Sequence, residues 1–347
     1  MKIIMLNKEI KINLENKIEH YINDLVKDNK FSGSVLISVN GDKLLSRGYN
    51  KSNYELLTDN TKDTKYRIGS LTKQFTAAAI LQLEKKGLLS IDDKLNKYIS
   101  DYPKGDEISI HNLLTHTSGI FNYTDDETFD SMMRKSHTIY ELIDEFKYKK
   151  LNFTPGEKYS YSNSGYILLG YIIEKVSGIS YKDYVEKNIF NFLNMHDSGY
   201  STDNKLLLNK ASGYDYHEAG LENCTFIDMS VPHAAGALHS TVEDLFLWNN
   251  YLLKLNKDNT DSLNKLFNRY VKTEEGDFYG YGLVIKDLKL KNKPFTSISH
   301  YGGIDGFLSF SGIYPEYNLQ IVVLNNLISP FFQEIVENIC SITLDFL

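Results

Sequence analysis

At 347 residues the chain is long enough for a large core and for two subdomains. Its 42% hydrophobic and 24% charged residues are those of an ordinary water-soluble globular protein, and a net charge of −7 without any basic cluster argues against nucleic acid as a partner. No stretch approaches the roughly 18 apolar residues of a membrane span. The start, Met1 to Glu9, returns to charge too early for a secretory leader, whose apolar run needs about 7–15 residues, so the sequence by itself points to the cytoplasm.

Residues 13–28 carry Ile18, Tyr21, Ile22, Leu25 and Val26 at helical spacing, which predicts an amphipathic helix. Strand-like runs follow at Ser34–Val39 and Lys43–Tyr49, and Asn40-Gly41 between them is a strong hairpin signal. Helices are expected over 70–86, 138–148, 164–176, 181–190, 241–254 and 261–269. Gly178 ends one of these and Ser180 caps the next, while Ser240 stands at capping-box spacing from Glu243. Long loops at 90–108, 117–136 and 195–239 are placed to wall a cleft. Strands return at Tyr279–Ile285, Ser297–Tyr301, Phe307–Tyr314 and Leu319–Leu324, and Ser329-Pro330 opens a last helix through Leu344 with proline at its first position. Strands near both termini predict an α/β (α+β) fold, with one antiparallel sheet flanked by helices. The expected division is a sheet subdomain of 1–66 plus 272–347 and a mostly helical insert of 67–271.

Three short patterns carry chemistry. In Arg67-Ile-Gly-Ser-Leu-Thr-Lys, Ser70 and Lys73 are three residues apart, on one helical face with Cβ atoms about 5–6 Å apart. The helix that follows is apolar on most sides, through Phe75, Ala78, Ala79, Leu81 and Leu83, so Lys73 is expected to be buried. Burial disfavours the ammonium form, and a neutral amine beside an alcohol can take its proton. The same spacing at Ser262–Lys265 lies in a polar run and reads as an ordinary solvated helix, and Tyr21–Asn23 repeats the second pattern without a role. That second pattern, Tyr161-Ser-Asn163, ends a loop just before a helix. A phenol near the lysine can ionise or relay a proton, and Asn163 can bind an amide or ester carbonyl. The third, His300-Tyr-Gly-Gly303, ends a strand. Its glycines let a substrate approach the backbone, one amide there can pair with that of Ser70 as an oxyanion hole, and His300 can tune or shuttle protons.

In this order the patterns resemble those of the class C β-lactamase and D-alanyl-D-alanine carboxypeptidase family, which includes penicillin-binding proteins and related esterases. Its Ser-x-x-Lys matches Ser70 and Lys73, its Tyr-x-Asn matches Tyr161 and Asn163, and its Lys-Thr-Gly or His-x-Gly matches His300 and Gly302. Phrases such as Leu113-Leu-Thr-His-Thr-Ser-Gly119 and Ala235-Gly-Ala-Leu-His-Ser-Thr-Val-Glu-Asp-Leu245 are similar too, and the resemblance runs from about residue 13 to the C-terminus. It implies a serine hydrolase working through an acyl-enzyme in a cleft between the two subdomains. Ser70 would be the nucleophile, Lys73 its base, Tyr161 the proton donor and water activator, and His300 a tuning residue. Asn163, Tyr301, Gly302 and Gly303 would bind substrate, with the amides of Ser70 and Gly303 on the oxyanion.

Tyr301 departs from the small hydroxyl residue common at that position, which weakens recognition of a free D-alanine carboxylate or a β-lactam. Esters, amides and D-amino-acid peptides remain open as substrates, and a non-catalytic protein that binds penicillin or peptidoglycan fragments is the alternative outside enzymes. An α/β-hydrolase would need Gly-x-Ser-x-Gly, which is lacking. Cys224 and Cys340 match no metal or redox spacing, the nine histidines do not cluster, and His111 and His116 read as loop or helix-end residues. The expected partner is therefore a small-molecule or short-peptide substrate with no cofactor and no metal, bound by a monomer. Family function would favour a site outside the cell.

Overall fold

Every residue of Gly33–Val39 is buried, because the strand has a neighbour on each side in a sheet covered on both faces. The computed structural model describes residues 8–347 apart from 203, 205, 218, 219, 259, 291 and 292. The reading of the N-terminus for a leader falls mostly on 1–7, outside these residues. Eight strands form the main sheet, in the spatial order Val271–Lys272, Phe278–Tyr279, Val284–Leu290, Lys293–Ile304, Phe307–Tyr314, Leu319–Asn325, Gly33–Val39 and Asp42–Tyr49. All neighbours are antiparallel, and Leu36 faces Val322 where the two ends of the chain meet. The hairpin at Asn40-Gly41 forms as expected, with φ of 56° and 85° at its two central residues.

Alternation along the strands sends side chains to two cores. Val35, Ile37, Phe310, Ile321 and Val323 pack against Leu14, Ile18 and Ile22 of the helix Lys8–Lys27 and against Ile335 and Ile339 of the C-terminal helix Phe332–Asp345. On the opposite face Leu36, Ile298, Ile313 and Val322 join Phe75, Leu169 and Trp248 of the helices Thr72–Lys85, Asn163–Ser177 and Val242–Lys257. This second core runs without a break from sheet to helices. We therefore propose the division into 1–66 plus 272–347 and 67–271 as one of chain topology rather than of separate cores.

Several elements differ from the sequence reading for local reasons. The strand expected over Tyr279–Ile285 is broken into Phe278–Tyr279 and Val284–Leu290 by a tight turn in which the Gly280 N–H donates to Leu283 O at 2.8 Å. Ser240 is not a cap. It closes the strand Leu238–Ser240 and shares a 2.8 Å hydrogen bond with Ser198, so the next residue, Thr241, caps the helix by accepting from the Asp244 N–H at 3.1 Å. Glu243 does not close a capping box but accepts from Ser46 Oγ and pairs with Lys43. The span 181–190 begins as an α-helix and widens to a π turn at Glu186–Phe190. The span 261–269 is a 3-10 helix over Ser262–Phe267, where Asn264 Nδ2 donates to Leu255 O at 2.9 Å. The last helix starts at Phe332, so Pro330 precedes it rather than opening it. The expected loops hold short elements, among them the 3-10 turn Leu95–Lys97, the helix Phe129–Met132 and the strands Tyr214–His217 and Gly220–Asn223.

Candidate active site

Gly69–Leu71 forms a 3-10 turn that leads directly into the helix Thr72–Lys85. The turn is tied down on both sides. The Ile68 N–H donates to Leu238 O at 3.0 Å, and Ile68 O accepts from Ser309 Oγ of the sheet at 2.8 Å. Ser70 is thereby held half-exposed between sheet and helices, while Lys73, one turn on, is fully buried.

The Lys73 amine is 3.0 Å from Ser70 Oγ, 2.8 Å from Asn163 Oδ1 and 2.8 Å from Ala235 O. It also lies over the rings of Tyr161 and Tyr166, at 4.8 and 5.4 Å from their centroids. Burial holds its pKa well below the ordinary lysine value. The amide and carbonyl oxygens can only accept, so in its deprotonated form the amine gives them its two N–H groups. Its lone pair is then left for Ser70.

Tyr161 donates its hydroxyl to Ser70 Oγ at 2.8 Å. The sequence suggested a phenol that ionises easily, but burial pushes its pKa up, so it is a protonated donor at neutral pH. Asn163 begins the helix Asn163–Ser177, with its N–H donating to Asn122 Oδ1 at 2.9 Å. Its side-chain oxygen is committed to Lys73.

His300 lies on the strand Lys293–Ile304 and is buried. Its ring centroid is 6.4 Å from that of Tyr161, its Nε2 is 3.1 Å from the Tyr279 hydroxyl, and its Nδ1 donates to Tyr301 O. Burial lowers its pKa to about 4. Its nitrogens thus face other partners, one ring behind the serine. The Tyr301 side chain points to the opposite face of the strand, with its ring centroid 4.8 Å from that of Phe310 at a 52° tilt, and is 39% exposed at the cleft. Gly302 abuts the nucleophile turn so closely that a Cβ would lie 2.2 Å from Ile68 O and 3.1 Å from Ser70 N. Gly303 lies beside Gly69 at the same junction.

A cleft of about 690 Å³ opens along this strand, lined by Tyr159, Tyr161, Tyr279, His300 and Tyr301; Ser70 is not among its lining residues and meets it through Tyr161. Glu274, Glu275, Asp277 and Glu337 line it together with Lys286 and Lys289, and Lys286 is already paired with Asp277 at 3.2 Å. Among the described residues no group of histidine, cysteine, aspartate or glutamate could hold a metal, and no helix is long and apolar enough to cross a membrane. The second Ser-x-x-Lys is occupied differently, since Lys265 pairs with Glu84 at 2.9 Å on the surface.

Sequence reasoning missed three contributors. Ala235 acts through its backbone carbonyl, which no side-chain pattern encodes. His116 is a loop residue as expected, but it is buried with its ring centroid 4.3 Å from that of Tyr161. Tyr279 bonds both His116 and His300. The Leu113–Gly119 phrase was the available signal for His116.

The fold and the grouping of alcohol, amine and phenol are those of the β-lactamase and penicillin-binding protein fold. A family model described as Beta-lactamase matches residues 18–336, and the chain belongs to that family. Protein flp of Staphylococcus aureus is 29% identical over 336 residues, covering 94% of this chain, which spans only 65% of the length of that relative. The structure of an octameric penicillin-binding protein homologue from Pyrococcus abyssi is 31% identical with a TM-score of 0.77, over 90% of this chain and 73% of that one. A D-amino acid amidase from Ochrobactrum anthropi SV3 has the same fold, with a TM-score of 0.84 over 96% of this chain and 99% of that one, at 23% identity.

Proposed function

We propose that the protein is a serine hydrolase that works through an acyl-enzyme, with neutral esters or amides as its substrates, D-amino-acid derivatives included. The observation that carries the reading is the Ser70 hydroxyl held at hydrogen-bond distance from both a buried amine and a buried phenol. Ser70 Oγ attacks the substrate carbonyl while its proton passes to the Lys73 lone pair. The amides of Ser70 and Gly303 hold the oxyanion, and losing one such donor typically costs about 10²–10³ in rate. Tyr161 donates its proton to the leaving group and is reprotonated by the Lys73 ammonium, so acylation ends with the amine neutral and the phenol protonated. Water then enters the vacated leaving-group side and attacks the acyl carbon, its proton passes by way of Tyr161 and Lys73 to the departing Ser70 Oγ, and the acid is released.

Charge supports the substrate class. A carboxylate on the leaving group would need a fixed cation beside the third motif. There His300 is neutral, Tyr301 turns its ring to Phe310, and the acidic groups lining the cleft outnumber the lysines.

The test is a panel of p-nitrophenyl esters, D-amino-acid amides, D-Ala-D-Ala peptides and nitrocefin, with Ser70→Ala beside the natural chain. Esters or amides should turn over, the carboxylate-terminated substrates should lag by about 10-fold or more, and Ser70→Ala should abolish turnover. Retained turnover in Ser70→Ala would refute the nucleophile. Preference for D-Ala-D-Ala peptides or nitrocefin would refute the substrate class alone.

A further inference from the structure

Behind Tyr161 a chain of buried polar groups runs from one backbone group to another. The Ser162 N–H donates to His116 Nδ1 at 3.1 Å. His116 Nε2 is 3.2 Å from the Tyr279 hydroxyl, which is 3.1 Å from His300 Nε2. His300 Nδ1 in turn meets Tyr301 O. A backbone N–H can only donate and a carbonyl oxygen can only accept, so the two ends dictate every proton between them. His116 must carry its proton on Nε2, because Nδ1 is accepting. His300 must carry its proton on Nδ1, because that nitrogen faces a carbonyl. Tyr279 is then left to accept from His116 and donate to His300, using each group once.

We propose that His116 and Tyr279 are positioning residues for the hydrolysis proposed above. Their directed relay locks two neighbouring histidines in opposite tautomers and holds Tyr161 over Ser70. The His116 ring lies 4.3 Å from Tyr161 at a 34° tilt, and also 5.1 Å from Tyr166, whose hydroxyl donates to Leu114 O at 3.0 Å. The relay therefore ties three elements together behind the phenol: the loop carrying His116, the short strand Phe278–Tyr279 and the strand of His300. It also commits both His300 nitrogens, so His300 acts through the relay and not as a shuttle to substrate. A ring displaced by about 1 Å is enough to cost on the order of 100-fold in a step that needs near-attack geometry.

The inference rests on the hydrolase reading for its consequence but not for its structure, and the two are separable. Imidazole nitrogen shifts in ¹⁵N-histidine-labelled Ser70→Ala protein, assigned with His116→Gln and His300→Gln, read the tautomers without any turnover. His116 should appear as the Nε2–H form and His300 as the Nδ1–H form. Tyr279→Phe keeps the ring and removes the link, and should lower kcat on a p-nitrophenyl ester by about 10- to 100-fold with KM within about twofold. His300 found as the Nε2–H form, or a folded Tyr279→Phe enzyme with natural kcat, would overturn the proposal and leave the nucleophile standing. Turnover surviving in Ser70→Ala would instead remove the hydrolase reading and leave the tautomers standing.

Discussion

Lys73 shows how one residue can satisfy its burial and its chemistry at once. A fully buried ammonium would be costly unless paired with a carboxylate, and the atoms around this amine are two neutral acceptors and a hydroxyl. That environment favours the neutral form, and the direction of its pKa agrees. The active form is the deprotonated one, so kcat/KM should rise with pH through an ionisation well below that of free lysine. Lys73→Arg stays charged and cannot accept a proton. We expect it to lose that limb of the profile and to lower kcat by about 10²-fold or more, as measured on a p-nitrophenyl ester from pH 5 to 9. An arginine variant that kept both limb and rate would assign the base elsewhere.

At the scale of elements, the start of Val242–Lys257 shows how a cap is chosen. Ser240 and Thr241 are both chemically able, but Ser240 is held by strand pairing and by Ser198, so the cap moves one residue on. Thr241→Ala should lower stability by about 1 kcal/mol, read as a shift in the urea midpoint with an unchanged m-value. An unaltered midpoint would show that the cap contributes nothing. The Asn40-Gly41 hairpin was legible because its turn conformation follows from two adjacent residues. The break at Gly280 was not, because an apolar run reads as one strand until its turn hydrogen bond is seen. The Ser70, Lys73, Tyr161 and Asn163 grouping was legible through ordered motifs. His116 and Tyr279 were not, because their relation is a contact across 163 residues of chain.

For the whole molecule, the buried histidines make stability depend on pH. His300 falls from an ordinary 6.5 to about 4 in the folded chain, and burial also lowers His116. Between pH 6.5 and 4 the unfolded chain binds more protons than the folded one, so folding is weakened as pH falls. Stability from His300 is fully present above 6.5 and is lost toward 4, by about 3 kcal/mol for a shift of that size. Urea midpoints measured across this window should fall steeply for the natural chain and less steeply for His300→Gln. Parallel curves for the two proteins would mean that His300 titrates alike when folded and unfolded.

The residues in order were enough to determine the alternation that builds a sheet from both ends of the chain, the apolar helix that buries a lysine, and the three patterns that point to acyl transfer. Each of these is local, set by period, turn chemistry or short spacing. Tertiary structure alone decided that Ala235 lends a carbonyl to Lys73, that His300 turns away from the serine, and that His116 and Tyr279 join it in one directed chain. Those depend on atoms distant in sequence meeting at hydrogen-bond range, which only the packing of helices against the sheet can bring about.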